Sequence, residues 1–412
     1  MNTSKFIGST MLLIGTIIGA GMLALPTACA AAGFTLASTL MLFMWALSIT
    51  TAFMIIEINL AFPTHTCSFN TMAEQTLGVF GKIVTWISYL SLLYIITVAY
   101  IAGASDTITT TLTPMLGTKA PSWSIAIPFT LILGAAVFWS TKSVDFFNRG
   151  LISLKSFLLI AALTLILPHV DINKLIADQH IEQTKYLWMA APTFLTAFTY
   201  HFVIPSLRIY IGEKPRELKW IVVLGTTFSL ILYLLWLTAT LGTVPLIGNN
   251  SFTSWAQSNG SVGEFTKIVT VILNNKWVTS CIYSFTNIAL TTSFLGVTLG
   301  LFDFLADGFK RPNTRFGRLQ TAGLTFVPPL LFALLYLKGF EKAVNCAALF
   351  AAILVVILPA LMLYRLRKKS NLKSPYRMCG GNALIAAVIL VGIALLILSI
   401  MVSFNLLPNI RN

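Results

Sequence analysis

The sequence predicts an all-α integral membrane protein. Eleven transmembrane helices form a five-plus-five inverted repeat with helices 1 and 6 broken, and one extra helix is added at the C-terminal end. Three observations predict this. Of 412 residues, 57% are hydrophobic and only 10% are charged. The apolar residues gather into eleven runs long enough to cross a bilayer. The first and the sixth of those runs carry helix-breaking residues.

The composition alone excludes several classes. One crossing takes about 20 apolar residues, so the apolar content supplies about eleven. A soluble domain has about 25% charged residues and too little interior to hide this much apolar surface. A soluble enzyme, a disordered chain and a disulfide scaffold are excluded. An outer-membrane barrel would need alternation at period two, which these continuous runs do not have. The five cysteines, at 29, 67, 281, 346 and 379, show no metal or redox spacing and read as small packing residues kept reduced.

The runs cover residues 6–32, 34–62, 83–112, 122–141, 150–168, 187–210, 219–245, 268–302, 317–337, 341–364 and 380–407. The first is longer than the apolar core of a signal peptide, about 7–15 residues, and is expected to stay as an uncleaved anchor. Between spans 2 and 3, residues 69–79 have helical spacing and are expected to lie along the membrane surface. Residues 1–168 make the first set of five spans, residues 187–364 the second, and residues 380–412 the eleventh helix and the C-terminus.

Loop charge sets the orientation. With the N-terminus inside, 19 of the 27 Lys and Arg fall on the cytoplasmic side, among them Lys82, Arg149, Lys214, Arg311 and the cluster from Arg365 to Arg377. The positive-inside rule then places the N-terminus in the cytoplasm and the C-terminus outside, in the periplasm of a bacterium. The net charge of +14 is explained by these loops, with membrane lipid as the neighbour and no role for nucleic acid.

Span 1 holds GTIIGAGMLALP at residues 15–26, where Gly15, Gly19, Gly21 and Pro26 weaken a continuous helix. Span 6 holds FLTAFTYHFVIP at residues 194–205, with Pro192 just before it. Broken helices survive at membrane depth only where protein or water lines the gap. Breaks at matching places in two halves point to an inverted-repeat transporter with its site at the midplane. A half-helix N-terminus presents free N–H groups and partial positive charge, so Gly19, Ala20 and Gly21 suit a carboxylate. Carbonyls released at Thr16, Ile17, Ala197 and Phe198 suit an ammonium group. Both ends together suit an amino acid. Phe198, Tyr200 and Phe202 add aromatic surface, His201 a polar tip, and Tyr94 and Tyr100 in span 3 can face them.

These pieces, with TSFLGVTLGLFDFLA at residues 292–306 and GRLQTAGLTFVPPLLFALLYLKGF at residues 317–340, make the chain similar to the bacterial hydroxy/aromatic amino acid permeases of the amino acid/polyamine/organocation superfamily. The resemblance runs over essentially the whole length. It implies a LeuT-like fold and import of an aromatic amino acid across the bacterial inner membrane by proton symport. Tyrosine is the first expectation, and tryptophan and phenylalanine stay open. The resemblance implies no cofactor, the proton gradient being the energy source.

Ionisable residues at membrane depth are candidates for function. Lys155 in span 5 is the candidate for proton coupling, placed where sodium-coupled relatives of the fold hold an ion, with Thr292 and its neighbours Thr291 and Ser293 opposite. Glu57, near the cytoplasmic end of span 2, is expected either to tie down the broken part of span 6 or to carry a proton. Sodium coupling is the alternative. No HExxH or GxSxG motif supports a membrane enzyme, and no filter-like repeat supports a channel.

Overall fold

The computed structural model describes residues 3–63, 68–117, 121–139, 141–176, 183–258, 260–312, 314–335, 339–369 and 374–407. Within them the regular structure is helical throughout. Nine helical segments, with Ala20 through Leu60 taken as one, are long and apolar enough to cross a bilayer, and Trp123–Trp139 is a shorter apolar helix.

In chain order, α1 (Thr3–Ile17) leads through a 3-10 turn (Ala20–Ala24) to α2 (Leu25–Cys29), and α3 (Gly33–Leu60) returns. Gly33 has φ +74° at this reversal, where a side chain would be strained and would also meet Gln183. Next come α4 (Phe69–Leu116), α5 (Trp123–Trp139), α6 (Thr141–Ile166) and the short α7 (Ile172–Ile176). The second half holds α8 (Gln183–Ala197), a 3-10 turn (His201–Val203), α9 (Ile204–Ile211), α10 (Pro215–Thr243), α11 (Phe252–Gln257), α12 (Val262–Leu273), α13 (Lys276–Gly308) and α14 (Arg315–Leu335). It continues through α15 (Phe340–Ala351), a π-helical stretch (Ala352–Ile357) and α16 (Leu358–Lys368) to α17 (Gly381–Ser403).

The expected helix at 69–79 is set off from span 3 by a kink inside α4 at Gly78, whose φ of +77° is not helical. The tenth span does not stop near 364. It runs to Lys368, and its middle widens into the π-helical stretch just before Pro359, which cannot donate a backbone hydrogen bond.

Packing divides the helices by contact. α3 packs on α10 and α8, and α1 packs on α10. α13 packs on α6 and α4, while α15 packs on α4, α8 and α17. The hydroxyls that fill these seams mostly bond within their own helix. In α4, Thr107, Thr109, Thr110, Thr111 and Thr113 each donate to the carbonyl four residues back, which is how Thr satisfies its polar group in an apolar setting. Leu131, Ile132, Phe157, Leu331, Phe332 and Leu390 are exposed on the outer surface, as lipid contact requires.

Candidate functional site

α1 ends at Ile17, and Ile18 and Gly19 are not helical before the 3-10 turn starts at Ala20. α8 ends at Ala197, and the chain regains helical form only at His201. The restarts match. Pro26 and Pro205 occupy the first turns of α2 and α9, where a missing N–H costs nothing. The breaks face each other, since a Cβ built on Gly21 would lie 3.8 Å from the Ala197 Cα.

Backbone groups freed in an apolar interior need partners, and here side chains from other helices supply them. The Ala20 N–H donates to the Ser293 hydroxyl of α13 at 3.0 Å. The Lys155 ammonium of α6 donates to the Ile18 carbonyl at 2.5 Å. The Tyr233 hydroxyl of α10 donates to the Ile17 carbonyl at 2.7 Å and lies 3.2 Å from the Ala197 carbonyl. The Ile17 oxygen also accepts from the Gly19 N–H at 2.8 Å, so both its lone pairs are used. Lys155 is 2% exposed and Tyr233 is fully buried.

Gly19 is needed for space rather than for conformation. Its φ of −123° is ordinary extended backbone, but a Cβ there would come within 2.9 Å of the Ser293 hydroxyl. The Phe198 ring meets the Tyr233 ring edge-on, with centroids 5.4 Å apart.

Tyr200 and His201 turn away from α1 towards α3. The Tyr200 hydroxyl donates to the Ser48 carbonyl at 3.2 Å, and its ring stacks on His201 at 4.7 Å. His201 Nε2 lies 3.1 Å from the same carbonyl and 2.8 Å from the Thr51 hydroxyl. A carbonyl only accepts, so Nε2 carries the proton and, in the neutral ring, Nδ1 is a bare acceptor. Nδ1 is buried with no partner among the described residues.

The structure thus brings Ile17, Gly19, Ala20, Gly21, Ala197, Phe198 and Lys155 together at the breaks, with Tyr200 and His201 bracing one of them. Thr16 adjoins on α1, its own hydroxyl bonded to the Leu12 carbonyl at 2.8 Å. Three expected residues lie elsewhere. The Tyr94 hydroxyl donates to the Leu324 carbonyl of α14 at 2.7 Å. Thr292 donates to the Ala289 carbonyl of its own helix, and its neighbour Ser293 faces the break. Glu57 is clamped at the end of α3 by Arg367 at 2.7 and 2.8 Å and by the Met378 N–H at 2.7 Å.

Tyr233 and Arg208 entered no candidate set. A single phenol within an apolar run, at Ile231 to Leu235, is the signal that finds Tyr233, because a buried hydroxyl must reach a partner. Arg208 is buried in α9 and reaches α3. It bonds the Asn59 carbonyl, the Phe62 carbonyl at 2.9 Å and Glu213 at 2.6 Å.

Comparison with known proteins agrees with this architecture. A crystal structure of a manganese transporter from Eremococcus coleocola superposes with a TM-score of 0.64 over 97% of this chain and 86% of that one, at 11% identity. At that identity the likeness speaks to the fold alone. The chain is 35% identical to a tryptophan-specific transport protein of Pseudomonas aeruginosa, over 99% of this chain and 97% of that protein. It is 32% identical to the tyrosine-specific transport system 1 of Haemophilus influenzae, over 98% and 99%, and 30% identical to a tyrosine permease of Enterobacter agglomerans, over 99% and 98%. The sequence pattern of the tryptophan/tyrosine permease family matches residues 2–399. The chain is a multi-pass membrane protein that belongs to the tryptophan/tyrosine permease family.

Proposed function

We propose that the protein imports an aromatic amino acid, tryptophan or tyrosine, by proton symport across the bacterial inner membrane. The observation that carries the coupling is the Lys155 ammonium on the Ile18 carbonyl, at the break in the first helix. A fixed cation there removes the need for sodium, and an amine can release and regain a proton as the carbonyl moves. The proton gradient is then the only energy source, without a cofactor.

The substrate reading follows from the same breaks. The carboxylate is to be held by N–H groups at Gly19, Ala20 and Gly21, where helical partial charge is positive. The ammonium is to be held by carbonyls at the ends of α1 and α8. Phe198 offers a ring face to the aromatic side chain, and His201, pinned to α3, holds the second break in shape.

The proposed architecture is LeuT-like. Eleven crossings comprise residues 1–168 and 187–364 as two inverted repeats and residues 380–412 as an added helix, with the N-terminus in the cytoplasm. α1, α3, α8 with α9, and α10 would move as one body against α4, α6, α13 and α14, exposing the site to one side at a time.

Uptake in proteoliposomes tests the proposal. Labelled tryptophan and tyrosine should accumulate under an inward proton gradient, compete with each other and with phenylalanine, and ignore serine and leucine. A protonophore should abolish accumulation. Accumulation that follows a sodium gradient and ignores the pH gradient would overturn the coupling assignment.

A further inference from the structure

At the breaks, hydroxyl groups from two neighbouring helices already engage the main-chain groups that a zwitterion would use. The Ser293 hydroxyl accepts from the Ala20 N–H at 3.0 Å, the place of one carboxylate oxygen. The Tyr233 hydroxyl sits 2.7 Å from the Ile17 carbonyl and 3.2 Å from the Ala197 carbonyl, the place of an ammonium. Ile17 and Ala197 are each the last residue of their helix, so a single phenol joins the negative ends of both half-helices.

Neither hydroxyl is as good a partner as the group it resembles. A phenol has one proton and can serve only one of the two carbonyls at a time, whereas an ammonium brings three protons and a charge. A serine hydroxyl offers a neutral oxygen where a carboxylate offers two charged ones. The arrangement is strong enough to satisfy the breaks and weak enough to be displaced.

Resting on the amino-acid reading of the site, we propose that Tyr233 and Ser293 are positioning residues for the return of the carrier without substrate. They stand in for the ammonium and carboxylate when no amino acid is bound and give way when one arrives. Net uptake requires the carrier to cross back without substrate. Exchange does not, because an amino acid rides in both directions. A buried carbonyl or N–H left without a partner raises the energy of the state that contains it, and without the stand-ins that state is the returning carrier.

The test is Y233F, purified and reconstituted beside the native protein, with net uptake and counterflow exchange of labelled tryptophan and tyrosine measured per amount of folded protein. Removing the phenol proton takes the Tyr233 donor from the Ala197 carbonyl and leaves the Ile17 carbonyl only the Gly19 N–H; net uptake should slow by about tenfold, while exchange stays within about twofold. S293A removes the other stand-in and should show the same split, so it carries the test if Y233F yields no folded protein. A merely structural defect slows both processes alike. Equal loss of both, or no loss of either, would overturn the proposal. Failure of the native protein to exchange any aromatic amino acid would instead overturn the amino-acid reading itself.

Discussion

Gly19 and Ser293 come so close that one added carbon is too many. A Cβ on Gly19 would lie 2.9 Å from the Ser293 hydroxyl, the same hydroxyl that accepts from the Ala20 N–H. The break in the first helix is therefore held against α13 by a contact that a side chain at residue 19 would push aside.

Substitution at this contact should separate folding from transport. Gly19→Leu is expected to abolish uptake, because its side chain must displace Ser293 and fill the space beside the Ala20 N–H. The protein should still insert, since the rest of the chain carries the membrane signal. Membrane fractionation with labelled tryptophan uptake checks this. Normal uptake by the variant would remove Gly19 from the site.

Lys155 should affect coupling more than substrate recognition. Lys155→Ala leaves the Ile18 carbonyl without the donor it has at 2.5 Å. Accumulation driven by a pH gradient is expected to fall by an order of magnitude or more, a loss of at least about 1.4 kcal/mol of coupling, with exchange affected less. The comparison is steady-state accumulation at several imposed gradients. Accumulation that still scales with the gradient would exclude Lys155 from coupling.

Two adjacent hydroxyls on α13 make a sharper contrast. Thr292 donates to its own helix at Ala289, 3.1 Å away, and Ser293 accepts from Ala20. Thr292→Ala should leave the uptake rate within about twofold, because an internal back-bond contributes little. Ser293→Ala should depress net uptake as described above. A larger defect in Thr292→Ala than in Ser293→Ala would reverse the assignment of the two residues.

The C-terminal end of α3 carries two polar clamps that should matter for stability. Glu57 holds Arg367 of α16 and the Met378 N–H, while the Asn59 and Phe62 carbonyls hold Arg208 of α9. Glu57→Ala leaves the part-buried Arg367 guanidinium with only the Met378 carbonyl, at a cost of about 1–3 kcal/mol. Thermal unfolding in detergent should show a clear fall in midpoint, and the affinity of the folded remainder for tryptophan should be unchanged. An unchanged midpoint would mean that the pair contributes nothing net.

The breaks were legible in the sequence because glycine and proline act on the main chain itself. Gly19, Gly21, Pro26 and Pro205 mark both gaps, and Lys155 stood out as a rare charge at membrane depth. What the sequence could not supply was the rotation of each helix about its axis. Thr292 and Ser293 differ by about 100° around α13, and only packing decides which of them faces Ala20. Tyr94 presents the same problem on α4, where packing turns its hydroxyl to the Leu324 carbonyl of α14. Tyr233 was missed for another reason: in an apolar run a tyrosine reads as filler until its hydroxyl is seen to reach two carbonyls. Glu57 was placed correctly near the end of span 2, but its partner, Arg367, lies 310 residues away in the chain.

Two interrupted helices are proposed to grip the two charged ends of one amino acid, and a structure determined with bound tryptophan or tyrosine shows whether they do. The carboxylate is expected on the N–H groups of Ala20 and Gly21, and the ammonium on the carbonyls of Ile17 and Ala197, with the hydroxyls of Ser293 and Tyr233 moved aside. An amino acid bound away from both gaps, with Ser293 still on Ala20 and Tyr233 still on Ile17, would contradict the proposal.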